Sequence, residues 1–318
     1  FYWHQFLHPD SIHQQISSPN PIYFSFPGSW NDLQMNGQKL GAEGFATFVL
    51  HVKIPEDESL MGLKSRSVNT AWNVWVNGRE LGGAGKVGKS QNGMVPATLP
   101  RTIPFQHDTS ELTIVVQVSN FYHRKGGFWW HLHLGHYDQI QKARESGLAI
   151  DLFLLGALLI MGFYHLGLFM LRPKDSSPLF FGIFCLLVGS RMLFINENFY
   201  SQLLPWLSWV LAKKTEYVIT FFLTPFFLLF LSKLYPREIR PWSWRSLLIF
   251  NCALALFALF APAPLFTLTP TIFNLGSMPV FVFVLVSMVL AILRRNEFAI
   301  PVFVGLLVLV LTTVNDML

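Results

Sequence analysis

The spacing of apolar residues changes once along this chain. Up to about Asp138 they alternate in short runs, and from Gly147 onward they form continuous blocks. In GFATFVLHVKIP, Phe45, Thr47 and Val49 alternate with Ala46, Phe48 and Leu50, so both faces are largely apolar, as in a strand buried on two sides. SELTIVVQVSNFYH alternates through Leu112, Ile114, Val116 and Val118, and FWWHLHLGHY reads as a last strand. PIYFSFPGSWND predicts one short strand followed by a turn at Pro27-Gly28. LMGLKSRSVNTAWNVWVNGREL predicts a pair of strands closed by Asn77-Gly78. The aromatic opening, FYWHQFLHPDSI, is expected to pack on the edge of this domain. Short strands separated by Gly, Pro and Asn turns imply an antiparallel sandwich or jelly roll over residues 1–138, long enough to bury its own core.

Residues 139–146 read as a short helical junction, and 147–318 as a multi-helix membrane domain. Six apolar stretches approach the roughly 20 residues needed to cross a bilayer: Gly147–Leu171, Pro178–Ile195, Tyr217–Leu234, Ser246–Ala263, Thr271–Leu293 and Phe298–Val314. A seventh is expected beyond Leu318. Leu203–Ala212 is too short to span; its Trp206 and Trp209 suit a headgroup position, either along the interface or as an extension of the third helix. Between His136 and Asp151 there is no Gly/Ser- or Pro-rich tether, so the last strand is expected to feed almost directly into the first membrane helix.

Composition supports this division. The chain is 52% hydrophobic and 13% charged, against about 25% charged in soluble domains, and its charges thin out after Arg144. The net charge of +5 comes partly from loops between apolar helices, which points to membrane topology and away from nucleic acid. Arg172, Lys174, Lys233, Arg237, Arg240, Arg245, Arg294 and Arg295 gather in loops on one side, which predicts that side to be cytoplasmic and the β domain to lie outside. Cys185 and Cys252 sit in apolar runs without disulfide or metal spacing, and no cofactor is expected.

Candidate chemistry is sparse. Asn120, His123 and Arg124, next to Gly126-Gly127, form a loop suited to a sugar hydroxyl or carboxylate, with Trp72, Trp75, Trp129 and Trp130 as possible platforms. His131 and His133 alternate on one strand with His136 beyond them; without a third ligand they favour a strand face over a zinc site. GGAGKVGKS matches a phosphate-loop pattern from Gly83 to Ser90, but the QNGMVPATLP run after it is a poor helix, so a solvated loop is expected. The acids Glu43, Glu56, Asp57, Glu58 and Glu80 show no catalytic pairing. In the membrane block His165, Arg191, Glu216, Asn251 and Asn274 are costly in lipid and expected to face the bundle. Arg191, Glu197, Lys213, Lys214 and Glu216 gather at the outer end; an Arg191–Glu216 pair is expected there, and with Lys214 and His165 these residues are candidates for a coupling surface.

AWNVWVNGRELGGAGKVGKS, FPGSW, GFATFVLHVKIP and VSNFYHRKGGFW together resemble the galactose-binding-like jelly roll found at the front of some glycosidases. GALLIMGFYHLGLFMLRPKDSSPLFFGIFCLLVGSRMLF followed by LPWLSWVLAKKTEYVITFFLTPFFLLFLSKLYP resembles the bacterial seven-transmembrane receptors with diverse intracellular signalling modules. That resemblance implies an inner-membrane, multi-pass receptor with a periplasmic jelly-roll sensor. The sensor would take a small molecule, with carbohydrate as the candidate class. The output would be a nucleotide cyclase, histidine kinase or phosphatase, and the receptor would work as a homodimer in the bilayer. No catalysis is expected of the residues present. The alternatives are a membrane-anchored carbohydrate-binding protein without output, and a transporter with an accessory β domain.

Overall fold

The computed structural model of the chain describes residues 1–7, 22–35, 37–55, 59–66, 68, 71–296 and 298–317, without the side chains of 309, 310 and 312–317. The chain forms two compact units. The first contains Phe1–Phe153, Met192–Lys213 and Pro262–Thr267; the second contains Leu154–Arg191, Lys214–Ala261 and Leu268–Leu318.

The strands of the first unit are β1 (Tyr2–Trp3), β2 (Gly28–Ser29), β3 (Gln34–Met35), β4 (Gln38–Lys39), β5 (Gly44–Lys53) and β6 (Met61–Ser65). They continue with β7 (Ala71–Val76), β8 (Arg79–Ala84), β9 (Arg101–Phe105), β10 (Glu111–Asn120), β11 (Gly127–Phe128) and β12 (Leu132–His136). A five-stranded sheet runs β1-β5-β10-β7-β8 and a three-stranded sheet runs β12-β6-β9, with antiparallel pairing throughout. Ala46, Phe48, Val74, Leu112, Ile114, Val116 and Val118 from the larger sheet share one core with Met61, Leu63 and Phe105 from the smaller, which makes this an all-β sandwich.

The two-sided apolar pattern of β5 has a physical cause. Its Ala46 and Phe48 face the sandwich core, while Thr47 and Val49 face the opening segment of the chain. The Thr47 hydroxyl donates to the Gln5 carbonyl and accepts from the Leu7 amide, and Leu7 packs with Val115, Val49, Tyr2 and Trp75. The aromatic opening therefore covers a sheet face as well as adding the edge strand β1; residues 8–12 lie outside the described residues. The short strand expected ahead of Pro27-Gly28 joins no ladder over 22–25, and Gly28 opens β2 just past a bend at Phe26-Pro27; Ile22, Phe24 and Phe26 still pack on the core while Tyr23 is exposed. The alternation there is real, but the chain runs where no neighbouring strand pairs with it.

The Asn77-Gly78 hairpin forms as expected, with positive φ at both positions (47° and 83°), the signature of a type I′ turn. Asn77 also ties the hairpin to β10: its Oδ1 accepts from the Thr113 amide at 2.8 Å. β12 ends at His136, and the helix α1 (Tyr137–Leu171) begins at the next residue. The Tyr137 amide still donates to the Leu60 carbonyl at 2.9 Å.

The remaining helices are α2 (Ser177–Met192), α3 (Tyr200–Leu203), α4 (Trp209–Leu234), α5 (Pro241–Phe260), α6 (Ala263–Phe266), α7 (Thr269–Leu293) and α8 (Ala299–Met317). Tyr137–Leu171, Trp209–Leu234, Pro241–Phe260 and Ala263–Leu293 are long and apolar enough to cross a membrane. α2 has 16 residues, about 24 Å at 1.5 Å per residue, and falls short of the full hydrocarbon thickness. α4 starts at Trp209, so the end of the LLPWLSWVLA stretch, Trp209–Ala212, extends the third helix, while Leu204–Ser208, with Trp206, is non-helical. α5 starts at Pro241, earlier than its apolar run, because proline suits the first helical turn where no amide partner is needed. In the second unit Leu228, Leu231, Leu247, Val284, Met288 and Leu306 pack as the centre of α4, α5, α7 and α8.

Substituting Gly78→Ala forces a Cβ into left-handed backbone. It is expected to destabilise the β sandwich by about 1–2 kcal/mol, read as a lower thermal midpoint of the near-UV circular dichroism signal. An unchanged midpoint would refute the turn assignment.

Candidate coupling site

The loop after β10 is fixed from two sides by asparagines. Asn120 is fully buried; its Oδ1 accepts from the amides of Tyr122 (3.3 Å) and His123 (2.9 Å), and its Nδ2 donates to the carbonyls of Ala42 (2.9 Å) and His123 (2.6 Å). An asparagine amide offers two donors and two lone pairs, so this side chain is saturated. Asn31 grips the other end, accepting from the Gly126 amide at 2.8 Å and donating to the Arg124 carbonyl at 2.8 Å. Expected as a ligand contact, Asn120 instead spends its whole hydrogen-bonding capacity holding the loop.

His123 is buried, and its ring stacks on Trp129 at 6.0 Å. Its Nδ1 lies 3.1 Å from both the amide nitrogen and the carbonyl oxygen of Lys125, so the tautomer decides which it serves. Burial pushes its pKa down to about 4, and Lys213, Arg124 and Lys125 push the same way, against the Lys125 hydrogen bond. The Lys125 ammonium sits 4.6 Å from the centre of the Trp129 ring.

This loop touches segments far away in sequence. The Arg124 amide donates to Thr267 Oγ1 at 3.1 Å, just after α6, while the Arg124 side chain is exposed. Tyr122 meets Trp209, the first residue of α4, edge-on at 6.2 Å. The Trp209 indole donates to Thr98 and lies 6.4 Å from the fully buried Phe266 of α6. A second anchor joins the sandwich to the α2–α3 connection. Lys64 on β6 donates to Glu197 at 2.6 Å, Arg144 on α1 approaches the other carboxylate oxygen at 3.6 Å, and the Lys64 and Glu197 side chains are each 14% exposed. Asn196 donates to Asp151 of α1 at 3.0 Å. All of these residues belong to the first unit.

Other candidates lie apart. Trp75 pairs with Val115, five positions along β10 from Asn120, and packs beside Leu7. Trp72 is in the core against Phe128. His131 is exposed just ahead of β12, its ring 6.3 Å from His133, and no metal-binding cluster occurs among the described residues. Gly83 lies inside β8 and a single 3-10 turn, Gln91–Gly93, comes after Ser90, so the phosphate-loop pattern lacks its helix. Glu80 accepts from Asn73 at 2.6 Å; Glu56, Asp57 and Glu58 lie outside the described residues.

In the second unit, Arg191 donates to Thr220 Oγ1 at 3.1 Å and Thr220 donates to the Glu216 backbone carbonyl one turn back at 2.8 Å, so Arg191 engages a threonine hydroxyl in place of the expected Glu216 carboxylate. Lys214 donates to the carbonyls of Leu259 (2.6 Å) and Ala261 (3.0 Å), capping the end of α5. His165 bonds to the Met161 carbonyl one turn back and meets Phe181 edge-on. Asn251 is fully buried, but Asn274 is exposed on α7, against expectation. Two carboxylates carry contacts that pattern reading did not assign. Glu197 had a place but no partner. Glu238, 1% exposed, accepts from Arg294 (3.0 Å) and Asn296 (3.2 Å). Thr267 sits in an uncharged loop that gave no signal.

The family described as 7TM diverse intracellular signalling matches residues 148–318. The chain belongs to this family. As a member of the 7TM diverse intracellular signalling family it is a transmembrane sensory receptor in signalling, and the matched block is sensory and non-catalytic. Similar solved structures include Ruminococcus gnavus β-glucuronidase in complex with uronic isofagomine, at 14% identity over 38% of this chain and 24% of that one, TM-score 0.28. The same organism's enzyme with D-glucaro-d-lactam gives 13% identity over 40% of this chain and 30% of that one, TM-score 0.28. The chain thus spans under a third of the length of these enzymes. None of the curated proteins matches it.

The anchors lead to two measurable outcomes. Glu197→Leu strands the half-buried Lys64 and is expected to cost about 1–3 kcal/mol, whereas Lys64→Met with Glu197→Leu recovers much of the loss; a thermal double-mutant cycle with no coupling would show the pair to be idle. His123 binds fewer protons folded than unfolded, so it contributes stability that is complete above pH 6.5 and is lost as pH falls from 6.5 to about 4. The loss is at most ~3 kcal/mol. His123→Phe should flatten the acid side of the stability curve measured by denaturant unfolding, and an unaltered slope would refute this origin.

Proposed function

We propose that this chain is the ligand-sensing and membrane-spanning part of a bacterial receptor. Its β sandwich lies on the periplasmic side of the inner membrane, as the Lys/Arg-rich loops predict. The sandwich takes a small molecule, with carbohydrate as the candidate class. The helical block relays the signal to a cytoplasmic module such as a nucleotide cyclase, histidine kinase or phosphatase, in a homodimer.

One observation carries this reading: the compact unit built on the β sandwich also includes Met192–Lys213 and Pro262–Thr267, the segments that join α2 to α4 and α5 to α7. A domain that merely rode on an anchor would have no reason to hold helix connections through Glu197, Trp209 and Thr267. A ligand that changes how the sandwich grips them would bias a two-state bundle, as differential affinity requires.

The test uses the intact chain in lipid nanodiscs. A thermal-shift screen of neutral and acidic saccharides is expected to find a stabilising ligand. Deuterium exchange with that ligand is expected to change in 192–213 and 262–267 as well as in the sandwich. No stabilising saccharide would sink the carbohydrate assignment; exchange confined to the sandwich would sink the relay.

A further inference from the structure

Beside the Lys64–Glu197 pair, the first unit holds a cleft of about 390 Å³. Its polar walls are all basic or imidazole: Lys64 and Arg66 at the end of β6, and His131 and His133 of the β12 region. Trp130 forms one side, and Ile140 and Ala143 of α1 close it with apolar surface. No carboxylate is among these lining residues. Glu197, on Lys64, is countered by both Lys64 and Arg144, so the surroundings keep an excess of positive charge.

Arg66 is the residue that most needs explaining. Arg66 is exposed; its guanidinium lies 5.6 Å from the centre of the Trp130 ring, and its N–H groups donate to no protein acceptor among the described residues. A guanidinium held over an indole by cation–π attraction keeps N–H donors for an oxyanion. The His133 imidazole responds to the same field. His133 is held below the usual histidine range by burial first, then by His131, Lys64 and Arg66.

We propose that this cleft binds a compact oxyanion, a phosphate or carboxylate group, between Arg66, Lys64 and the two imidazoles. The anion takes the place of water on the Arg66 donors and supplies the negative charge that the cleft lining is without. It also competes with Glu197 for Lys64, and so loosens the hold of β6 on the α2–α3 connection. That last consequence rests on the receptor reading above; the binding itself does not. The anion can be free in solution or the headgroup of an acidic lipid, and both have the same chemistry.

The experiment measures binding alone, on the intact chain in nanodiscs. In phosphatidylcholine discs, inorganic phosphate and galacturonic acid are titrated calorimetrically; in a separate arm, retention of phosphatidylglycerol from mixed discs is measured by native mass spectrometry. Saturable binding in either arm is expected, weakened about tenfold by Arg66→Gln, as for loss of one charge-assisted contact. Lys89→Gln, a distant exposed lysine, should leave it unchanged. Binding should be tighter at about pH 5.5 than at about pH 7.5, and His133→Gln should reduce that difference. A response in the soluble arm identifies a free anion; a response only with phosphatidylglycerol identifies a headgroup. Both cleft variants lie at the surface and should keep the wild-type thermal midpoint. The proposal is overturned by no saturable binding in either arm up to about 10 mM, or by binding that Arg66→Gln and His133→Gln leave intact. Neither result bears on whether a saccharide alters exchange in 192–213, so failure here and failure of the receptor reading are separable.

Discussion

The first unit depends on the lack of any linker between strand and helix. Tyr137 is at once the first residue of α1 and a hydrogen-bond donor to Leu60 beside β6, so the helix axis is set by the sheet. Gly62 makes this possible: a Cβ there would stand 3.1 Å from the Tyr137 Cα and 3.4 Å from the Ile140 Cβ. Once the first turn is fixed, the 3.6-residue period determines which later residues share its face. Ile140, Arg144 and Asp151 lie three, seven and fourteen residues beyond Tyr137, on one helical face. Ile140 meets Gly62, Arg144 approaches Glu197, and Asp151 accepts from Asn196. A flexible tether at this point would free the helix to turn and would remove the reason for these side chains to line up.

Glu197 and Glu238 solve the same problem in the two units. Each is a shielded carboxylate that draws together chain segments with no ladder or helix in common: β6 and the α2–α3 connection in one case, the α4–α5 and α7–α8 connections in the other. Their net contribution to stability is small, because desolvation offsets much of the attraction. Their effect is on arrangement, since a displaced partner leaves a shielded charge without compensation. A contact of that kind favours two discrete states over a graded drift, which suits a receptor.

The sequence made some of this legible and hid the rest for identifiable reasons. The sandwich, the type I′ hairpin and the direct strand-to-helix step were readable because they are local: alternation in β5 and β10, Asn77-Gly78, and the helix-favouring run after His136. The extent of α2 and α5 was less so, because hydropathy does not register a proline at the first turn or a helix too short to span. The anchors were hidden because they pair residues over 100 positions apart. Lys64 and Glu197 are separated by 133 positions and Arg124 and Thr267 by 143, and nothing in a threonine's neighbourhood announces such a partner.

The loop of Asn120, His123 and Arg124 shows how one polar cluster supports two readings. Polar residues between glycines suggest a surface open to ligand, yet the same composition builds a rigid turn when the amides face inward. Asn120 makes all four of its hydrogen bonds to backbone, Asn31 takes the Arg124 carbonyl and the Gly126 amide, and His123 is neutral under its burial. The side chains left exposed are those of Arg124 and Lys125, and the Arg124 amide is bonded to Thr267. A loop so fully satisfied has little slack, and its contacts tie the end of β10 to Thr267 and Trp209. The groups that confer its stiffness are the same ones whose composition suggests a binding site.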